Sequence, residues 1–216
     1  MTILNKRKAD IVTFANSYIT VERSMEKEID ILSRIIQRRR SVFPISYTEQ
    51  EIPVALIKQV LESANYAPTH KLTEPWRFTV FRNEGKLKLG AELARLYKET
   101  TPEHQFLQKK YDSILEKAGQ ANCIITLNVA LHSDKIPEWE ELAALACAVQ
   151  NMALTAEALN IGAYWSSPGM IESLGSFLDL EAHEKCFGLF YMGYHNEAPR
   201  TAKRGPIADK VKWVES

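Results

Sequence analysis

The sequence predicts an α+β domain, and three observations predict it. Segments with apolar residues at helical spacing are interspersed with short alternating or β-branched segments, as expected for helices mixed with strands. A length of 216 residues favours one compact core over two. The 9 glycines and 9 prolines are scattered, so no linker or low-complexity stretch divides the chain. With 45% apolar and 25% charged residues, the chain can bury a core of ordinary size.

Each element follows from local pattern. Ser24 is an N-cap residue type, and Ile29, Leu32, Ile35 and Ile36 recur after it at helical spacing, predicting a helix into Arg38. Pro53 fits the first turn of a second helix that buries Leu56, Ile57, Val60, Leu61 and Ala64 and stops before Pro68. Trp76, Phe78 and Val80 alternate with Arg77, Thr79 and Phe81, which reads as a half-buried strand to Arg82. Two Glu/Lys-rich helices are expected over 85–98 and 102–118, then a β-branched strand over 123–129.

The helix expected over 138–160 is the most informative. Ala143, Ala144, Ala146, Cys147, Ala148, Ala153, Ala156 and Ala158 leave little bulk on any face. Other backbones can then approach closely, which places this helix at the centre of the molecule or at a subunit contact, with Gly162 as its stop. A short helix over 171–178 and a strand over 185–194 follow. The tail from His195 ends in a strand-like piece, Val211 to Val214, without a neighbour in sequence to pair with.

Several function classes lose their signatures. Lys plus Arg equals Asp plus Glu at 27 each, so no overall field draws the chain to nucleic acid or an anionic membrane, and any bound anion needs a local cluster. Cys123, Cys147 and Cys186 are too far apart for zinc pairs and read as buried thiols in a reducing compartment, with the cytoplasm as the expected location. The longest run without a polar side chain, Leu142 to Val149, falls well short of the ~20 residues of a membrane span. Residues 1–24 carry the basic cluster Lys6, Arg7, Lys8 and no cleavage pattern; they read as an extra arm, or as a segment preceding a true start at Met25. There is no Gly-x-Ser-x-Gly elbow, HExxH, Walker loop or GxGxxG after a strand.

Three segments could carry chemistry. Arg38, Arg39, Arg40 and Ser41 close the first helix, where they either complement its dipole or bind a phosphate through charge-assisted hydrogen bonds. The loop from Ala67 to Phe78 holds His70, Lys71 and Glu74 between a helix and a strand, a common place for functional groups; it also reads as a polar surface loop anchored by Trp76. Trp165-Ser166-Ser167-Pro168-Gly169 offers amides and hydroxyls without a base for a nucleophile. A second basic cluster, Lys203-Arg204-Gly205-Pro206, lies far away in sequence and could converge with the first on one phosphate.

The combination and order of these pieces resembles the nitroreductase family of FMN-dependent oxidoreductases, over about Glu28 to Val214. The resemblance rests on Arg39-Arg40-Ser41, Ala67-Pro68-Thr69, Pro75-Trp76-Arg77-Phe78, Gln150-Asn151-Met152, Asn160-Ile161-Gly162, Tyr191-Met192-Gly193-Tyr194 and Arg204-Gly205-Pro206. His70-Lys71 and Ile136-Pro137-Glu138-Trp139-Glu140 look most like its small single-domain subgroup. It implies a sandwich of a mostly antiparallel sheet and surrounding helices, with residues 25–216 as one domain, built as an intertwined homodimer whose C-terminal strand crosses to the partner.

The same resemblance implies FMN at the subunit interface and NADH or NADPH as donor, with a nitroaromatic, quinone or related acceptor served by a ping-pong mechanism. Arg39, Arg40 and Ser41 would hold the FMN phosphate, joined by Arg204. His70 and Glu74 match positions that face the flavin from the second subunit, and Trp165, Ser166 and Ser167 match the segment beside the ring. Leu72 and Glu74 stand where many members carry Asn and Gln. The resemblance assigns no general acid or base and no metal. A slow-turnover flavin-binding or redox-sensing protein, and a cofactor-free interaction protein, are the other classes compatible with the residues.

Overall fold

The structure, a computed structural model, describes residues 27–215. The expectations for Ser24, for Met25 and for the arm over 1–24 fall outside those residues. Two compact units meet in sequence at Arg38 and Arg39. The first contributes helix α1 over 27–38. The second holds α2 (Val54–Ala64), β1 (Trp76–Phe81), α3 (Glu84–Thr100), α4 (Gln108–Gln120), β2 (Cys123–Ala130), α5 (Glu138–Ala158), β3 (Gly162–Ser166) and β4 (Glu184–Gly193).

The four strands form one antiparallel sheet in the order β1-β2-β4-β3. This is the expected helix-covered antiparallel architecture. Every residue of β2 is buried because helices cover both faces of the sheet. Ile125, Leu127 and Val129 join the core formed with α2 and α5, which includes Ile57, Val60, Leu145, Val149 and Met152. Ile124 points the other way, into the core with Leu89, Leu93 and Tyr97 of α3 and Leu189 and Tyr191 of β4, as the period-2 alternation of a strand requires. Burying a leucine or isoleucine side chain contributes roughly 1.5–3 kcal/mol, so these two layers dominate the stability.

The register of β2 against β4 slips at one point. Leu127 pairs with Gly188 and Asn128 with Cys186, leaving Phe187 as the extra residue of a bulge.

The structure corrects several details of the expected elements. Val80 is exposed and Phe81 half-buried, because Phe81 stacks on Phe177 at 6.1 Å on the second core's face. Pro102 opens only a short 3-10 turn, Glu103–Gln105, and α4 starts at Gln108. There Tyr97 intervenes, its hydroxyl accepting the Leu107 N–H at 3.0 Å while its ring stacks on Phe106 at 5.5 Å. Residues 171–178 hold a single 3-10 turn, Ile171–Leu174.

Helix α5 is stopped by Asn160, which takes the left-handed φ of 57°. Gly162 serves a different purpose: a Cβ there would lie 2.8 Å from Val42 and 2.7 Å from His195, so the glycine lets the chain after Arg39 pack onto β3. Cys147 is exposed on α5, whereas Cys123 and Cys186 are buried as expected. Residues 211–215 belong to no strand of their own chain.

Candidate functional site

The residues singled out from sequence fall into two groups on opposite edges of the sheet. The first group lies along β3. Ser41 forms a parallel bridge with Ala163, and the Val42 N–H donates to Ala163 O at 3.2 Å. This segment is laced to the tail by Arg200, an arginine that sequence reasoning missed. Arg40 Nε donates to Arg200 O at 3.0 Å, and Arg200 Nη2 donates to Ser41 O at 2.7 Å. Arg200 also pairs with Glu197 at 3.0 Å, and Glu197 accepts the Ser46 hydroxyl at 2.9 Å. In sequence Arg200 was one basic residue among several in the tail, with no motif around it.

The donors of this group are unequally committed. Arg40 is spent on the carbonyls of Arg39 and Arg200. Arg204 stands in the exposed tail, its guanidinium donating to Lys203 O at 2.9 Å, and no described contact joins it to Arg39. Trp165, at the lower end of β3, donates its indole N–H to Phe187 O at 3.2 Å, and Ser166 is half-buried beside exposed Ser167. Behind them, Tyr164 stacks on Tyr191 at 5.1 Å and meets Phe43 at 4.8 Å. Burial raises the Tyr164 phenol above its ordinary value, with a hydrogen bond from Ser166 opposing the shift.

The second group is the loop leading into β1. Lys71, Leu72 and Glu74 take left-handed φ values of 51°, 53° and 41°, a cluster of unfavourable conformations for non-glycine residues. The loop holds that shape through the Glu74 N–H, which donates to Thr69 Oγ1 at 3.0 Å, and through one tie to α5 and one to the turn before it. His70 Nδ1 bonds Glu140, and Lys71 Nζ donates to Lys135 O at 2.9 Å. The adjacent Glu141, fully buried, accepts the backbone N–H of His132 at 2.9 Å and contacts its Nδ1 at 2.7 Å. Glu140 was legible only as the last residue of the Ile136–Glu140 motif, and Glu141 carried no signal in sequence. His70, Leu72 and Glu74 are exposed.

β2 and β4 lie between these groups. Three inter-strand steps of about 4.8 Å separate the two edges by roughly 14 Å, so one chain does not bring His70 and Glu74 to Trp165.

The sequence pattern of the nitroreductase family matches residues 36–194. The chain belongs to the nitroreductase family. The match takes in both groups described above but ends before Arg200 and Arg204. YfhC of Bacillus subtilis (strain 168), named provisionally as an NAD(P)H nitroreductase, is 29% identical over 183 residues, 83% of this chain and 92% of its own. A solved nitroreductase-like family protein from Bacillus cereus superposes with a TM-score of 0.75 at 26% identity, over 86% of this chain and 96% of that one. The FMN-dependent nitroreductase NfnB of Mycobacterium smegmatis, solved with NADPH, shares the fold with a TM-score of 0.70 at 16% identity, over 87% and 99% of the two chains. Among the described residues no helix is long and apolar enough to cross a membrane, and no group of His, Cys, Asp and Glu is placed to hold a metal ion.

Proposed function

We propose that this protein is a homodimeric FMN-dependent oxidoreductase that takes a hydride from NADH or NADPH and passes electrons to a nitroaromatic, quinone or related acceptor in the same cleft. The observation that carries the reading is the separation of the two groups to opposite sheet edges. A flavin lying along Trp165, Ser166 and Ser167 of one copy meets His70 and Glu74 only if a second copy supplies them. Family membership and the NAD(P)H nitroreductase name of its Bacillus relative support the chemistry.

The donor set suits FMN. Arg39 makes no side-chain ion pair among the described residues and Arg204 contacts only a carbonyl, so two uncompensated guanidiniums and the Ser41 hydroxyl remain for a phosphate dianion. FMN, when bound, supplies hydride acceptance at N5 and onward electron delivery. Trp165 fixes one wall of the cleft, because its indole is anchored to the bulge at Phe187. The strained loop presents His70 and Glu74 in one geometry because the Glu140 contact holds it. Neither residue is assigned a proton-transfer role.

Two features favour the paired state. On α5, exposed Ala143, Ala146, Cys147 and Gln150 share a face opposite the buried Ala144, Leu145 and Ala148, a seam of mostly small side chains suited to close approach. In the tail, Val211, Trp213 and Val214 are 44%, 81% and 81% exposed, and docking on the partner would cover them. Residues 25–216 then act as one flavin-binding domain.

Absorption spectroscopy, sedimentation and initial-rate kinetics of FMN-reconstituted protein test the proposal together. The expected results are bound-flavin bands, a dimer, and parallel double-reciprocal lines for donor and acceptor. Failure to bind FMN, or a stable flavin-loaded monomer, overturns the reading; intersecting lines overturn the shared cleft alone.

A further inference from the structure

Helix α5 opens in a way that leaves one carboxylate without its usual local task. Its N-cap is Pro137, which puts Glu140 at the third position of the first turn. A glutamate there ordinarily reaches back to the N-cap backbone N–H, but proline has none, and no side chain caps this helix. The neighbouring acids are committed elsewhere, Glu138 to Lys185 at 2.6 Å and Glu141 to His132. Glu140 crosses instead to the loop before β1 and bonds His70 Nδ1.

The two partners are unequally sheltered. The Glu140 side chain is 23% exposed and the His70 side chain 58%, so the carboxylate is the enclosed member and the ring the open one. An ionised carboxylate only accepts hydrogen bonds, so Nδ1 carries the proton between them. In the neutral ring Nε2 is then a bare acceptor, and it makes no hydrogen bond among the described residues. Stability does not account for the arrangement. An ion pair this exposed contributes little, whereas the left-handed conformations of Lys71, Leu72 and Glu74 each carry a cost.

We propose that Glu140 is a positioning residue. By holding His70 as the Nδ1–H tautomer, it makes Nε2 a fixed acceptor for an N–H donor in the cleft of the second copy, on the flavin ring or on the nicotinamide carboxamide. The inference rests on the dimeric flavin reading above.

The test follows the His70 ring nitrogens by nitrogen NMR in the full-length protein, with and without FMN, at about pH 8.5, where imidazole is ordinarily neutral. The parent should show the Nδ1–H tautomer in both states. Glu140→Ala should release the ring to a mixture of tautomers. Glu140→Gln, whose amide oxygen still accepts Nδ1–H, should keep the parent's form. Glu140→Ala should also weaken binding by about 3- to 10-fold, as expected for one neutral hydrogen bond, and Glu140→Gln by no more than about twofold. A raised FMN dissociation constant assigns the N–H donor to the flavin; a raised KM for NADH or NADPH with FMN affinity kept assigns it to the carboxamide. His70→Ala should show the same loss, and adding Glu140→Ala to it should cost nothing further. An Nε2–H tautomer in the parent, or a tautomer that Glu140→Ala leaves unchanged, overturns the proposal. A tautomer change with FMN affinity and KM both unmoved also overturns it and leaves the flavin reading standing, whereas a parent that binds no FMN overturns both.

Discussion

The indole of Trp165 donates to the carbonyl of Phe187 at 3.2 Å, so the edge strand β3 is pinned to the one residue that β4 carries outside its register. Gly188, next to the bulge, makes room for the ring: a Cβ there would sit 2.0 Å from Trp165 Nε1 and 2.9 Å from Ser166 O. Gly188→Ala should therefore expel the indole and cost about 1–3 kcal/mol, as overpacking does. A lowered urea midpoint and a shifted tryptophan emission check this; an unchanged emission would show that the contact is looser than the geometry says.

Glu141 is fully buried, yet it sits in the first turn of α5, where the helix dipole favours a negative charge. Its two oxygens are matched to two nitrogens of His132. Glu141→Gln keeps the shape but offers one acceptor oxygen instead of two, leaving one nitrogen of His132 opposite an amide NH2. The expected loss is about 1–3 kcal/mol in denaturant unfolding. A variant as stable as the parent would mean that the His132 pairing adds nothing.

Burial pushes the Cys186 thiol up to about 11 and the Cys123 thiol up to about 12, from an ordinary value of 9.0. Between pH 9 and those values the folded chain keeps protons that the unfolded chain gives up. Stability contributed by these thiols is fully present below pH 9 and is lost as pH rises through the folded-state values, with a slope of up to about 1.4 kcal/mol per pH unit per thiol. Urea unfolding between pH 8 and about pH 11 should show a shallower decline in Cys186→Ala than in the parent. Equal slopes would remove the thiol from the account.

Arg39→Ala and Arg204→Ala should each weaken FMN binding by about 10- to 150-fold, since a charge-assisted hydrogen bond contributes roughly 1.5–3 kcal/mol. In the proposed site both guanidiniums would share one phosphate, so the double variant should be non-additive, coupled by about 0.5–3 kcal/mol. Riboflavin lacks the phosphate and should bind all variants alike. Equal losses for riboflavin and FMN would assign these arginines to the fold or the dimer.

Where one interaction dominates, the sequence was a good guide. β2 read as a strand because both of its faces are buried, and α2 because Ile57, Val60 and Ala64 line one face. Features set by distant partners were not legible. The delayed start of α4 depends on Tyr97, ten residues upstream of the Leu107 amide it accepts. The stop of α5 falls on Asn160, whereas Gly162 serves the close approach of Val42 and His195, which only the packed chain reveals. Of the candidate site, the Arg39 to Ser41 segment and the Trp165 strand were legible as pieces whose adjacency comes from the Ser41 bridge to Ala163. Arg200 was not, because its contacts run to Arg40 and Ser41, about 160 residues away.

The strand order has a genetic reading for the paired arrangement proposed above. An allele damaged at Trp165 and an allele damaged at His70 are each defective in both clefts of their own homodimers, since every cleft draws one edge from each copy. Co-expressed, they assort into mixed dimers in which one cleft collects both lesions and the other collects none. In that proposed arrangement two inactive alleles should complement each other, up to half of full activity per mixed dimer, whereas a single chain carrying both lesions would have no such rescue.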